Sequence, residues 1–246
     1  MLQLNSDLGE GFGHWQLADE SAIMPHIDMA NVACGFHAGD PLTITRTLRL
    51  ARKHAVTVGA HPGYPDLAGF GRRSLPMSPE ELRSALVYQI GALDALARSE
   101  GMKLAYVKPH GALYNDMMRD EKIFTVLTNA LADSYPDLPL MILSTADNDR
   151  YSTTASAHGI RLLFEFFADR AYTDDGKLMP RSEPRAVIHD TDVVLKRVEQ
   201  IITEGSVTTA GGRRLPLQAD TLCVHGDNPE AVTLTRAIRQ RVDRLG

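Results

Sequence analysis

The sequence predicts an α/β protein built as one barrel of parallel strands, with a small β-hairpin inserted late in the chain. Three observations lead there. Seven short apolar runs of strand length recur along the chain, amphipathic helix-like segments separate them, and polar residues collect where the runs end. The 246 residues suit a single domain over 1–246, since β/α barrels commonly occupy about 200–250 residues and no Gly/Ser-rich or charged linker divides this chain.

The runs are Leu2–Leu4, Met29–Ala33, Thr57–Ala60, Leu104–Val107, Leu140–Leu143, Leu162–Phe167 and Thr221–Val224. After the second, Pro41–His54 sets Leu42, Leu48, Leu50 and Ala51 among Arg46, Arg49, Arg52 and Lys53, which is a helix with one apolar side. Ser78-Pro79-Glu80-Glu81 combines an N-cap, a proline at the first helical position and a capping-box glutamate. A helix therefore starts there, runs to about Ser99 and stops at Gly101. Further helices are predicted over Asp120–Ser134, Asp147–Ala157, Thr191–Glu204 and Pro229–Leu245. In Ser206–Gln218, Val207-Thr208-Thr209 and Leu215-Pro216-Leu217 flank Ala210-Gly211-Gly212-Arg213, a hairpin with a Gly-Gly turn.

Composition excludes several classes. Hydrophobic residues at 43% and charged residues at 23% are those of a folded globular protein, not of a disordered or fibrous one. The balance of 26 Lys+Arg against 31 Asp+Glu gives −5, with no general field for a nucleic-acid backbone or an anionic membrane. Cys34 and Cys223 are too few for a disulfide framework and lack zinc-site spacing, which fits a reducing compartment. With no leader-like segment at Met1–Asp7 and no apolar run of about 18 residues, a cytoplasmic protein without a membrane span is expected.

Both faces of a strand in a helix-covered parallel sheet are buried, so a polar side chain there must be paired or working. Here the polar groups stand at the ends of the strands. Strand 1 ends in Asp7, strand 2 leads through Asn31 to Cys34 and His37, and strand 3 ends in His61. Strand 4 ends in Lys108 and His110, strand 6 carries Glu165 and then Asp169-Arg170, and strand 7 ends in His225 and Asp227. Active sites of β/α barrels lie at this C-terminal end. Two-residue spacing puts Lys108 with His110, His225 with Asp227, and Gln3 with Asn5 and Asp7 on common sides, so a ring of ionisable groups is expected at one mouth. Carboxylates beside imidazoles and an ammonium are the arrangement that assigns acid and base roles.

Taken singly, each of these residues has a plainer reading. A lone strand-end histidine is more often a loop or core residue, and only the joint placement singles out His61, His110 and His225. His14, His26, His54, His158 and His189 read as ordinary helix or loop residues, Cys34 as a small buried hydrophobe, and Asp66, Arg72 and Arg73 as loop charges with equal claim to function. Gly9-Glu10-Gly11-Phe12-Gly13 and Gly69-Phe70-Gly71-Arg72-Arg73 could turn amides toward an anion, but neither is a Walker A loop or a dinucleotide fingerprint.

Asn5-Ser6-Asp7-Leu8-Gly9-Glu10-Gly11-Phe12-Gly13 and Ala30-Asn31-Val32-Ala33-Cys34-Gly35-Phe36-His37-Ala38-Gly39-Asp40-Pro41 together resemble the LamB/YcsF family of 5-oxoprolinase A subunits. So do Gly59-Ala60-His61-Pro62-Gly63-Tyr64-Pro65-Asp66, Val107-Lys108-Pro109-His110-Gly111-Ala112-Leu113-Tyr114-Asn115, Glu165-Phe166-Phe167-Ala168-Asp169-Arg170-Ala171-Tyr172 and Cys223-Val224-His225-Gly226-Asp227. The resemblance implies a seven-stranded barrel of the glycoside hydrolase/deacetylase type. It also implies an enzyme that opens 5-oxo-L-proline to L-glutamate with hydrolysis of ATP, acting with two further subunits, B and C. ATP would be a hydrolysed co-substrate, with any divalent metal arriving alongside it.

On that chemistry Asp7, His61, Lys108, His110, Glu165, Arg170 and His225 are expected to be catalytic. Glu10, Asn31, His37, Asp40, Arg72 and Asp227 are expected to bind substrate. Lys108 and Arg170, with Arg72, would neutralise phosphate or the substrate carboxylate. Two alternatives stay open. One is a metal-dependent deacetylase-like hydrolase on Asp7, His61 and His110, against which Lys108 beside His110 would repel a cation. The other is a non-catalytic subunit that binds substrate for its partners.

Overall fold

The computed structural model describes residues 2–15, 17, 19–180, 183–224 and 229–246. Its strands are β1 (Gln3–Leu8), β2 (Met29–Ala33), β3 (Thr57–His61), β4 (Leu104–Val107), β5 (Leu140–Leu143), β6 (Leu162–Phe167), β7 (Ser206–Thr208), β8 (Arg214–Pro216) and β9 (Thr221–Cys223). β1 to β6 and then β9 close into a seven-stranded barrel with every pairing parallel, while β7 and β8 form the separate antiparallel hairpin. The helices are α1 (Glu20–Ile23), α2 (Pro41–Lys53), α3 (Pro79–Ser99), α4 (Gly111–Arg119), α5 (Glu121–Ser134), α6 (Asn148–Ala157), α7 (Thr191–Glu204) and α8 (Pro229–Leu245). Among the described residues no helix is long and apolar enough to cross a membrane.

The signals read from the sequence operate as expected at α3. Ser78 accepts from the Glu81 amide and Glu81 returns a bond to the Ser78 amide, closing the capping box. Two differences have physical reasons. β1 extends beyond Leu4 to Leu8 because Asn5 to Leu8 pair in register with Met29 to Val32, and the Asn5 and Asp7 side chains find partners inside the barrel. α4 is a helix that apolar periodicity did not reveal. Gly111 enters it at φ +52, and Asp120 ends it while capping α5, so two helices share one short junction.

Apolar residues on the outward sides of the strands, including Leu4, Ala30, Val32, Val58, Ile142 and Leu222, pack with the buried faces of the helices in one continuous core. A second, small cluster of Met29, Tyr106 and Met141, with Leu163, lies apart and fills the barrel interior. Gly59 makes that filling possible, since a Cβ there would stand 2.2 Å from the Tyr106 ring. The barrel is thus plugged below its C-terminal mouth, and the polar groups above the plug have a solid floor.

Candidate active site

The site begins with amides on that floor. The Asn5 amide donates to the Thr221 hydroxyl at 2.9 Å, and the Tyr106 hydroxyl donates to Asn31 Oδ1 at 2.7 Å. The Asn31 amide donates to Asn5 Oδ1 at 2.8 Å and to Asp7 Oδ1 at 2.7 Å. Buried polar groups stay buried only when paired in this way. Asn31 therefore acts by fixing Asp7.

Lys108, just past β4, reaches across the barrel. Its Nζ lies 2.9 Å from Asp7 Oδ1, 2.7 Å from Glu165 Oε1, 3.2 Å from Asn5 Oδ1 and 3.5 Å from Cys223 Sγ. The Tyr114 hydroxyl, from α4, donates to the other Glu165 oxygen at 2.8 Å. Burial opposes charge on Lys108, but Asp7 and Glu165 outweigh it and hold the ammonium well above its ordinary pKa. Burial likewise opposes the Asp7 carboxylate, but His61 and Lys108 hold it well below the usual range. This half of the mouth is a locked ion-pair network.

The other half is built from histidines. His61 Nδ1 faces the Lys108 carbonyl at 2.7 Å, and its Nε2 lies 3.4 Å from Asp7 Oδ2. His110 Nε2 faces the Phe70 carbonyl at 2.9 Å, and its Nδ1 lies 3.0 Å from His61 Nε2 and 3.3 Å from Glu10 Oε1. His37 stacks flat on His110 with ring centroids 3.7 Å apart and sets its Nε2 3.1 Å from the same Glu10 oxygen. Burial, with His37 and His61 nearby, pushes His110 down to about 3, and burial with His61 pushes His37 well down. Gly63 and Gly71 let loops close over these rings: a Cβ on Gly71 would lie 2.6 Å from His37 Cβ, and Gly71 takes φ +61. Asp7 and Glu10 keep 26% and 17% of their side chains open, whereas Glu165 is sealed at 0%, so the first two are the carboxylates that outside molecules reach.

The structure thus brings together Asp7, Glu10, Asn31, His37, His61, Lys108, His110 and Glu165. Arg72 sits on the rim with its guanidinium carbon 5.2 Å from the Phe70 ring centre. Asp40, expected to bind substrate, is the N-cap of α2: its carboxylate accepts from the amides of Leu42, Thr43 and Gly13 and from the Thr43 hydroxyl. The guanidinium of Arg170 donates to the carbonyls of Met179 and Ala186, bracing the segment after β6. Asp66 is held by Arg73 and the Gly69 amide. Cys34 is buried, and burial pushes its thiol up to about 12. His225 and Asp227 lie outside the described residues. Lys108 does not stand beside His110 as a lone cation, since two carboxylates draw its ammonium away. Tyr114 and Tyr106 are site residues that sequence reasoning missed; Tyr114 lies one helical turn after His110, a spacing that could have exposed it.

The fold and mouth define the class: a closed seven-stranded β/α barrel with a buried lysine–carboxylate–histidine site at the C-terminal ends of its strands. The chain belongs to the LamB/YcsF family, whose pattern it matches over residues 2–246. It is 51% identical over 242 residues to the 5-oxoprolinase A subunit of Vibrio vulnificus strain YJ016, covering 98% of this chain and 97% of that one. It is 52% identical over 242 residues to the protein of the same name from Vibrio cholerae O1 strain N16961, covering 98% of each. The crystal structure of a lactam utilization protein from Thermus thermophilus superposes with a TM-score of 0.92 at 41% identity, covering 99% of this chain and 96% of that one.

Proposed function

We propose that this chain is the A component of an ATP-dependent 5-oxoprolinase, and that its barrel mouth opens the lactam ring in concert with subunits B and C. The observation that supports this most is the half-identical relatives of that name, aligned over nearly the whole chain.

A five-membered lactam is a resonance-stabilised amide with a poor leaving group. Transfer of the γ-phosphoryl group of ATP to the lactam oxygen, with ADP leaving, makes the ring carbon electrophilic. Water adds to that carbon, the carbon–nitrogen bond breaks with its electron pair on nitrogen, and the nitrogen takes a proton. A second water then cleaves the acyl phosphate to glutamate and phosphate. Glu10, the open carboxylate not paired with Lys108, takes a proton from water and returns it to the leaving nitrogen, while Asp7, held ionised by His61 and Lys108, orients that water. Lys108 and Glu165 fix Asp7 from behind, and Arg72 on the rim is placed to meet the substrate carboxylate or the phosphate.

The test is 5-oxoproline-dependent ADP release and glutamate formation with this chain alone, with B and C, and with a Lys108→Met variant plus B and C. Glutamate should form only in the full wild-type mixture. ADP release that ignores 5-oxoproline contradicts the reading.

A further inference from the structure

The histidine half of the mouth contains an electrostatic conflict. A carbonyl oxygen only accepts, so His61 Nδ1, 2.7 Å from the Lys108 carbonyl, and His110 Nε2, 2.9 Å from the Phe70 carbonyl, both carry hydrogen. In the neutral rings the basic nitrogens are then His61 Nε2 and His110 Nδ1, which face each other at 3.0 Å. Glu10 Oε1 faces the same point, 3.3 Å from His110 Nδ1 and 3.9 Å from His61 Nε2. Three electron-rich atoms converging in a buried site repel one another unless a cation lies between them. One proton bridges only one of the three pairs, whereas a metal ion meets all three.

We infer that Glu10, His61 and His110 form a seat for one divalent transition-metal ion of zinc type. Donor atoms at zinc distance stand roughly 3.3 Å apart at tetrahedral angles, and the three separations here are 3.0, 3.3 and 3.9 Å. Backbone carbonyls fix the outer N–H of both histidines, the usual support that orients a metal-bound imidazole. His37 supplies the equivalent support to the carboxylate through Nε2, 3.1 Å from Glu10 Oε1, and its own nitrogen lies within the same 4.8 Å cluster. Three protein donors leave a position for a small oxygen ligand, and a metal of this kind polarises such an oxygen. Charge points the same way. Lys108 is held between Asp7 and Glu165, whereas the Glu10 carboxylate faces imidazoles rather than an ammonium.

This set differs from the Asp7, His61 and His110 combination that the sequence allowed: the donor atoms gathered within 4.8 Å belong to Glu10, His37, His61 and His110, while Asp7 Oδ1 holds Lys108 and Asn31 and its Oδ2 lies 3.4 Å from His61 Nε2. The inference concerns the same mouth as the proposed 5-oxoprolinase reaction, but occupancy is read without substrate. A negative metal result therefore leaves the reaction standing, and a negative glutamate assay leaves the metal site standing.

The experiment is metal analysis of the full chain purified without chelators, followed by calorimetric titration of Zn²⁺ into chelator-stripped protein. One equivalent should bind. Glu10→Gln and His110→Gln should weaken binding at least about tenfold and His37→Gln by a smaller factor, while His158→Gln, outside the mouth, should bind as wild type does. Folding of each variant is checked by circular dichroism; if a histidine variant unfolds, Glu10→Gln, nearest to solvent, decides the question. No saturable binding by the stripped wild-type chain overturns the inference, as does undiminished binding by folded Glu10→Gln; the first result would leave a proton on His61 as the cation of the cluster.

Discussion

The two halves of the barrel mouth solve the problem of buried charge differently. On the Lys108 side, one ammonium lies between two carboxylates, with Asn5, Asn31 and Tyr114 completing the hydrogen bonds. That half is internally balanced and held by regular strands. On the histidine side, Glu10, His37 and His110 come from loops and a helix start, closed by Gly63 and Gly71, and their donor atoms converge on one another rather than on an ammonium. The first half is a closed ion-pair network, and the second is a cluster of converging donor atoms. The difference teaches that polar residues at strand ends need not share one role, because some fix geometry so that others can bind.

Breaking the balanced half should have the largest effect. Lys108→Met leaves Asp7 and Glu165 facing each other without their ammonium, and removing one partner of a buried pair costs about 3–5 kcal/mol. Urea unfolding of the variant should show this loss, and adding Glu165→Gln to it should recover part of the stability. Tyr114→Phe comes next. It strips a donor from buried Glu165, a loss of about 1–3 kcal/mol, and if Tyr114 positions Glu165, kcat should fall with KM unchanged.

Asp40→Ala should cost about 1 kcal/mol as a lost cap, with turnover falling only as far as folded protein does. Its pH dependence has a definite sign. Asp40 has its pKa lowered to about 2, chiefly by the Thr43 hydroxyl, so its contribution is complete above the ordinary carboxylate range and fades as pH falls through about 2. Unfolding curves of wild type and Asp40→Ala should therefore differ at pH 7 and converge in strong acid. The smallest effect is expected at Cys34, a neutral thiol with its pKa pushed up to about 12. Cys34→Ala should keep turnover within about twofold, whereas a nucleophile would lose nearly all of it.

Much of the barrel was legible because each strand is a short apolar run whose neighbours in sequence are its neighbours in space. β4 and β5 fall where Leu104–Val107 and Leu140–Leu143 place them, and α7 and α8 keep their expected bounds. The balanced half of the site was legible for the same reason, since Asp7, Lys108 and Glu165 sit at or near strand ends. Residues on connecting segments were harder to read. Asp40 precedes Pro41, the ordinary signature of a cap, yet lies within a motif rich in functional residues. Arg170 follows β6 closely, but its guanidinium turns to loop carbonyls. Tyr114 is on a helix whose glycine entry and polar sequence conceal its periodicity, and Glu10 reaches the histidines only through the path of a glycine-rich loop.

Under the proposed function, ring opening occurs at this mouth. Glutamate formation from 5-oxoproline and ATP by this chain with subunits B and C, compared between wild type and Glu165→Gln, tests it most directly. Glu165 is buried behind Lys108, and its isosteric replacement removes charge without removing bulk. A fall of at least about a hundredfold in rate with the variant folded is predicted. A folded variant that forms glutamate at the wild-type rate would mean that ring opening does not depend on this mouth.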